Sequence, residues 1–170
     1  MAESRANELV ERLDVVRARL ARLAGMPVPR ALTEPDPRTG ERWEWGQVWA
    51  HVAEFPAYWT NQIRLVLAAG GDESVPFGRV SSDPGRVDAI ERDRRTPATE
   101  LWARTAPDLH EVRGLILGLD ERGWRLRGLH STLGVMDMSK ILDEFVVGHL
   151  ESHAGQLEGL VAAAGAGEPE

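Results

Sequence analysis

Residues 137–161 read DMSKILDEFVVGHLESHAGQLEGLV, and this stretch decides the fold class. Ile141, Leu142, Phe145, Val146, Leu150, Leu157, Leu160 and Val161 recur at three- and four-residue steps, the repeat of a helix that buries one stripe. Asp137 is the predicted N-cap, because a short carboxylate accepts hydrogen bonds from the unpaired amides of a first turn. The same stripe holds His149 and His153. Four residues apart, they point about 40° from each other and stand about 6 Å apart along the axis. Two imidazoles therefore take core positions halfway along one helix.

Three further helices follow from the same repeat. The first runs from Ala2 through Ala6, Leu9, Leu13, Val16, Leu20 and Leu23 and stops at Gly25. The second runs from Trp45 to Gly70-Gly71 with Val48, Val52, Phe55, Trp59, Ile63 and Val66 inward. The third opens at Thr96-Pro97, a cap and first-turn pair, and carries Leu101, Trp102, Leu109, Val112, Ile116 and Leu119. Pro107 inside it predicts a kink or break near Ala106.

The connections are long. Pro27, Pro29, Pro35 and Pro37 make residues 26–44 an extended loop. Between residues 72 and 96, Asp83-Pro84 followed by Val87 and Ile90 predicts a helix of one or two turns. Residues 118–136 read as irregular loop, and very little of the chain reads as strand. The expected fold is all-α: a four-helix bundle with a long crossover between helices two and three.

Composition narrows the function classes. The 170 residues, 42% hydrophobic and 28% charged, are enough for one domain with its own core. With no Cys, the chain has no thiolate nucleophile and no thiolate-ligated zinc, so a metal would need His or carboxylate ligands. A net charge of −7 argues against nucleic acid as a partner. No apolar run reaches the roughly 18 residues of a membrane span, and the first residues lack the apolar segment of a signal peptide. The expectation is a cytoplasmic protein with no membrane partner.

A third inward imidazole lies on the second helix. His51 shares the stripe of Val48, Phe55, Tyr58 and Gln62. It lies about 9 Å inside the start of that helix, and His153 about 15 Å inside the end of the last, so antiparallel packing would bring them to similar depth. Inward histidines can be hydrogen-bonded core residues. Three of them buried together leave polar nitrogens desolvated, a cost that shared coordination of one divalent ion such as zinc or nickel would offset. Three imidazoles leave coordination positions open, as in a catalytic site. An external thiol or a water would bind there.

Trp45-Gly46-Gln47-Val48-Trp49-Ala50-His51-Val52-Ala53-Glu54, followed about a hundred residues later by His149-Leu150-Glu151-Ser152-His153-Ala154-Gly155-Gln156-Leu157, resembles the DinB-like (YfiT-like) superfamily. The approach to the last helix, Gly128-Leu129-His130 to Gly134-Val135-Met136, belongs to the likeness, which spans about residues 5–161. The resemblance implies a DinB-like domain over residues 1–165, with 166–170 a frayed tail. It also implies up-down-down-up topology, frequent homodimerisation, and one divalent metal held by His51, His149 and His153. It further implies a small-molecule substrate and a low-molecular-weight thiol such as mycothiol, since the superfamily includes mycothiol-dependent maleylpyruvate isomerases and thiol S-transferases. The isomerase branch carries a carboxylate where this chain has His149. The function expected is a thiol-dependent S-transferase or a metal-dependent hydrolase; the alternatives are a non-catalytic metal or small-ligand bundle and a mycothiol-dependent isomerase.

Residues near the trio follow from helical angles. Tyr58 stands seven residues beyond His51 and Gln62 a turn further, while Gln156 stands seven beyond His149. Each can contact substrate, orient a ligand, or satisfy buried polar groups at the end of the core. Glu54 can accept a hydrogen bond from a ligand histidine or act as a base, or sit at the core boundary. Glu54 and Tyr58 are the candidate catalytic residues. His130 is expected as a solvated loop residue that could line the mouth, and His110 is expected to face outward. Trp43, Trp45 and Trp49 read as core, or as an aromatic wall or dimer contact.

Overall fold

A computed structural model of the chain describes residues 2–37 and 39–165, with Ala2 described by its backbone alone. The chain forms α1 (Ala2–Ala24), α2 (Trp45–Ala69), β1 (Val75–Phe77), α3 (Pro84–Asp93), α4 (Ala98–Leu117), α5 (Glu121–Arg125), β2 (Arg127–His130) and β3 (Gly134–Asp137). The last long helix has three parts: α6 (Met138–Leu142), a π-helical turn (Asp143–Val147) and α7 (Gly148–Gly165). The expected tail 166–170 and the side chain of Ala2 lie outside the described residues.

The predicted stripes converge on one apolar cluster. Leu13, Val16 and Leu20 of α1, Val48 and Phe55 of α2, Leu101, Leu109 and Ile116 of α4, and Leu142, Leu150 and Leu157 of the last helix are fully buried. Each contributes roughly 1.5–3 kcal/mol relative to exposure. Helix directions follow from side-chain pairs. Arg12 pairs with Glu151 and Arg19 with Glu158, equal steps of seven, so α1 and α7 run the same way. His51 meets His153, Phe55 meets His149 and Trp59 meets Phe145, a descending order that makes α2 and the last helix antiparallel. Glu44, the N-cap of α2, pairs with Arg94 just before α4, and Arg64 pairs with Glu111 near both C-termini, so α2 and α4 run alongside in one direction.

Helix ends follow the local rules in most places. Glu44 and Gln47 form a capping box at the start of α2, and Gly70 closes its far end at φ 60°. Asp83 accepts from the Arg86 amide at 3.0 Å and Asp137 from the Lys140 amide at 2.8 Å. At α4 the expected Thr96 cap is displaced by one residue: Pro97 occupies the N-cap position without a side-chain cap.

Several expectations are corrected. Residues 118–136 are not irregular loop; they hold α5 and the β2–β3 hairpin, whose order with β1 is β1-β2-β3. β1 runs parallel to β2, with Phe77 opposite His130, and β3 antiparallel. The sheet escaped the pattern because Leu129 and Val135 are apolar yet exposed, while Gly128 and His130 point inward. Helix α3 has ten residues, longer than one or two turns, and exposes Val87 while burying Ile90. Helix α4 passes through Pro107 without breaking. Thr105, two residues earlier, donates its hydroxyl to the Leu101 carbonyl at 2.7 Å. The last helix is not one regular α-helix. At its π-helical turn the Gly148 amide reaches back five residues to the Asp143 carbonyl. A Cβ at position 148 would lie 2.9 Å from that oxygen, so the tight turn and the glycine go together.

Candidate metal centre

Helix α2 supplies His51 from its second turn, and α7 supplies His149 and His153. The Nε2 atoms of His51 and His149 stand 2.9 Å apart, and those of His149 and His153 3.1 Å apart. All three donor atoms fall within 4.8 Å of one another. Ring planes cross near 90°, so the imidazoles point their edges at a common centre. His51 and His153 are buried, and His149 is the partly exposed member.

Proton counting shows what this arrangement needs. His51 Nδ1 lies 2.8 Å from Glu54 Oε1 and His153 Nδ1 lies 2.7 Å from Gln156 Oε1. Both partners are acceptors, so both Nδ1 atoms carry the proton and donate. In the neutral ring the corresponding Nε2 is then a bare lone pair. Two lone pairs converge on His149 Nε2, which has at most one proton to share between them. Protonating the trio is no remedy: burial, then mutual repulsion and Arg86 and Arg79, hold His51 and His149 well below the usual imidazole range. Burial brings His153 down to about 4, against the effect of its hydrogen bond to Gln156 Oε1. One cation would satisfy all three nitrogens. Nitrogens at about 2.0–2.1 Å from a shared ion stand roughly 3 Å apart, so the donor set fits a divalent metal.

The surroundings hold the trio in place. Phe55 packs against His149 at a centroid distance of 4.7 Å, and Trp43 lies parallel to His153 at 6.2 Å and edge-on to His51 at 5.5 Å. Trp45 and Trp49 pack on each other in the core, so only Trp43 of that cluster forms a wall of the site. Glu54 turns one oxygen to His51 and the other to Arg79. Burial raises its pKa more than the Arg79 partner lowers it. Tyr58 is half-buried beneath Arg79, whose guanidinium sits 3.8 Å from the ring centre.

The remaining candidates have other partners. Gln62 accepts from the Gly78 amide at 2.7 Å and does not reach the trio. His130 is not a solvated loop residue. It is buried on β2 among Trp59, Phe77 and Phe145, donates Nε2–H to the Arg79 carbonyl at 3.1 Å, and accepts from Thr132 at Nδ1. Gln62 and His130 thereby fix the backbone that presents Arg79. Gly78 makes this possible: its φ is +84°, and a Cβ there would strike the His130 and Trp59 rings. His110 is exposed, as expected. Arg79 and Arg86 were missed by sequence reasoning, since Arg79 follows β1 in a connection without periodicity and Arg86 occupies the polar side of a short helix.

No protein-family profile and no curated protein matches this chain by sequence. In structure it is similar to a mycothiol-dependent maleylpyruvate isomerase, with a TM-score of 0.66 over 89% of this chain at 14% identity. The chain spans 60% of that protein's length. The likeness is one of fold, and at that level it agrees with the DinB-like resemblance of the two histidine segments. Among the described residues, no helix is long and apolar enough to cross a membrane.

Proposed function

We propose that this chain is a DinB-like metalloprotein in which His51, His149 and His153 bind one divalent transition metal, zinc or nickel. It acts on a small-molecule electrophile as a thiol-dependent S-transferase or a metal-dependent hydrolase. The carrying observation is the convergence of three Nε2 atoms, two of them stripped of protons by Glu54 and Gln156. The fold likeness to a mycothiol-dependent enzyme supports an external thiol such as mycothiol as co-substrate. Such a thiol is required in any case for thiol chemistry, since the chain has no cysteine.

Bound by three imidazoles, a divalent ion supplies Lewis acidity that lowers the pKa of a thiol or water at its open positions. The protein's own groups do the rest. Glu54 fixes the His51 tautomer and orients the ring, and Gln156 does the same for His153. Arg79 holds the second Glu54 oxygen and keeps that carboxylate directed at His51. Tyr58 stands seven residues beyond His51 on α2, beneath Arg79, and in this reading its hydroxyl donates to a bound substrate. Trp43 packs beside His51 and His153 and Phe55 beside His149, which leaves His149 as the imidazole partly open to solvent.

The pairwise helix directions support an up-down-down-up bundle made of α1, α2, α4 and the last helix, organised as one domain over residues 1–165. A homodimeric cytoplasmic protein that does not bind nucleic acid accords with the resemblance and the acidic composition. Elemental analysis of untagged protein beside His51→Ala and His153→Ala tests the centre. About one equivalent of metal in the parent, lost in both variants, is the expected result. Equal metal content in all three would reject a shared site.

A further inference from the structure

Among the described residues, Arg86 is the basic group near enough for its charge to disfavour protonation of all three histidines, and Arg79 does so for His51 and His149. It lies on the first turn of α3, half-buried, with its guanidinium 5.4 Å from the Trp43 ring centre. Trp43 in turn lies flat against His153. Guanidinium, indole and imidazole thus succeed one another from the edge of the site to its centre.

The two arginines differ in how their charge is met. Arg79 is paired with Glu54 and lies 3.9 Å from Asp83, with both its own side chain and Glu54 nearly enclosed. Arg86 forms no ion pair among the described residues. Its Nη1 donates to the Ser81 carbonyl at 2.8 Å, a neutral acceptor. The carboxylates that face it are already engaged: Glu54 by Arg79 and His51, and Asp83 by the Arg86 backbone amide and Arg79. Glu41 contributes from an exposed position. Burial outweighs the attraction of Glu54 for this cation, and the neighbouring Arg79 adds to the cost. A half-buried guanidinium with donors to spare, beside a site of neutral imidazoles, is built to receive an anion, and the planar fork matches a carboxylate.

We infer that Arg86, backed by Trp43, is an anion-recognition residue of this centre, and that the ligand accepted beside the three histidines carries a carboxylate reaching that guanidinium. This rests on the metal-centre reading and goes beyond it by naming the substrate class. Arg86 is a specificity residue here; the reacting atoms lie at the trio.

The test compares paired probes, one member of each pair carrying a carboxylate and the other neutral. Untagged, cobalt-loaded protein is titrated with 3-mercaptopropionate and with 2-mercaptoethanol, reading the near-ultraviolet thiolate-to-cobalt absorption. Metal-free protein is titrated in parallel with malonate and with malonamide by calorimetry. The parent should favour the carboxylate-bearing thiol by about 10-fold or more, the worth of one charge-assisted bidentate contact. Arg86→Gln should bring that ratio close to one, and Arg86→Lys, which keeps the charge but not the fork, should leave it between. In the metal-free arm, malonate should outcompete malonamide in the parent and lose that advantage in Arg86→Gln. Arg86→Lys carries the comparison if Arg86→Gln fails to fold. No preference in the parent, or a preference retained in Arg86→Gln, overturns the inference. Absence of bound cobalt and of the absorption with either thiol refutes the metal centre instead. In that event the malonate comparison alone decides the role of Arg86.

Discussion

Acidifying the metal-free protein from pH 7.5 to 5.5 should remove about 4 kcal/mol of stability, through the three buried histidines alone. In the unfolded chain each titrates near its ordinary value of 6.5. In the native state burial keeps all three neutral, His153 down to about 4 and the other two well below 6.5. As pH falls through 6.5, only the unfolded state gains protons, so the native state loses ground. The loss grows by about 1.4 kcal/mol per pH unit for each histidine. For His153 it levels off near pH 4. Glu54 works in the opposite sense, since its raised pKa makes protonation favour the folded form. Glu151 and Glu158, lowered by Arg12 and Arg19, add a further loss only below about pH 4.5. Urea denaturation in EDTA at half-unit pH intervals measures the slope, and His153→Gln should reduce it by about one proton's worth. A stability that is flat or rising between pH 7.5 and 5.5 would refute burial of three neutral imidazoles.

Other outcomes follow from single contacts. Glu54→Gln removes the carboxylate shared by His51 and Arg79, and should weaken metal affinity about 10- to 100-fold at unchanged far-ultraviolet circular dichroism, as read by competition with a chelator. Gly128→Ala places a methyl 2.4 Å from the Phe77 ring, and should cost about 1–3 kcal/mol in thermal or urea unfolding. Replacing Arg12 and Arg19 together by Gln should cost no more than about 1 kcal/mol per pair, and the difference should fade in 1 M salt, because both pairs with α7 are partly solvated.

The four long helices were legible because each buries a stripe wide enough to repeat over several turns. His51, His149 and His153 were legible for the same reason: polar residues at positions such as those of Val48 and Leu150 stand out against an apolar period. The small sheet was not, since its strands have three or four residues and the inward positions of its central strand, β2, are Gly128 and His130 in place of large apolar groups. Gln62 and Gln156 show the limit of angular reasoning. Both stand seven residues from a stripe position, yet Gln156 reaches His153, and Gln62 turns to the Gly78 backbone. Arg79 and Arg86 come to the site through a loop and a short helix, where tertiary contacts set side-chain direction.

The five-residue reach from Gly148 to Asp143 makes the phase of the last helix adjustable without changing any side chain. One surplus residue in that turn offsets everything after it by about 100° and 1.5 Å relative to a regular helix. Excising a single codon there would restore ordinary winding and leave His149 and His153 at the same angle and height toward His51, because the turn has absorbed that one residue. Winding the same sequence as a regular helix, with no residue removed, is what would turn another face of α7 toward His51, so the π-helical turn is the element that sets the two imidazoles in phase with α2.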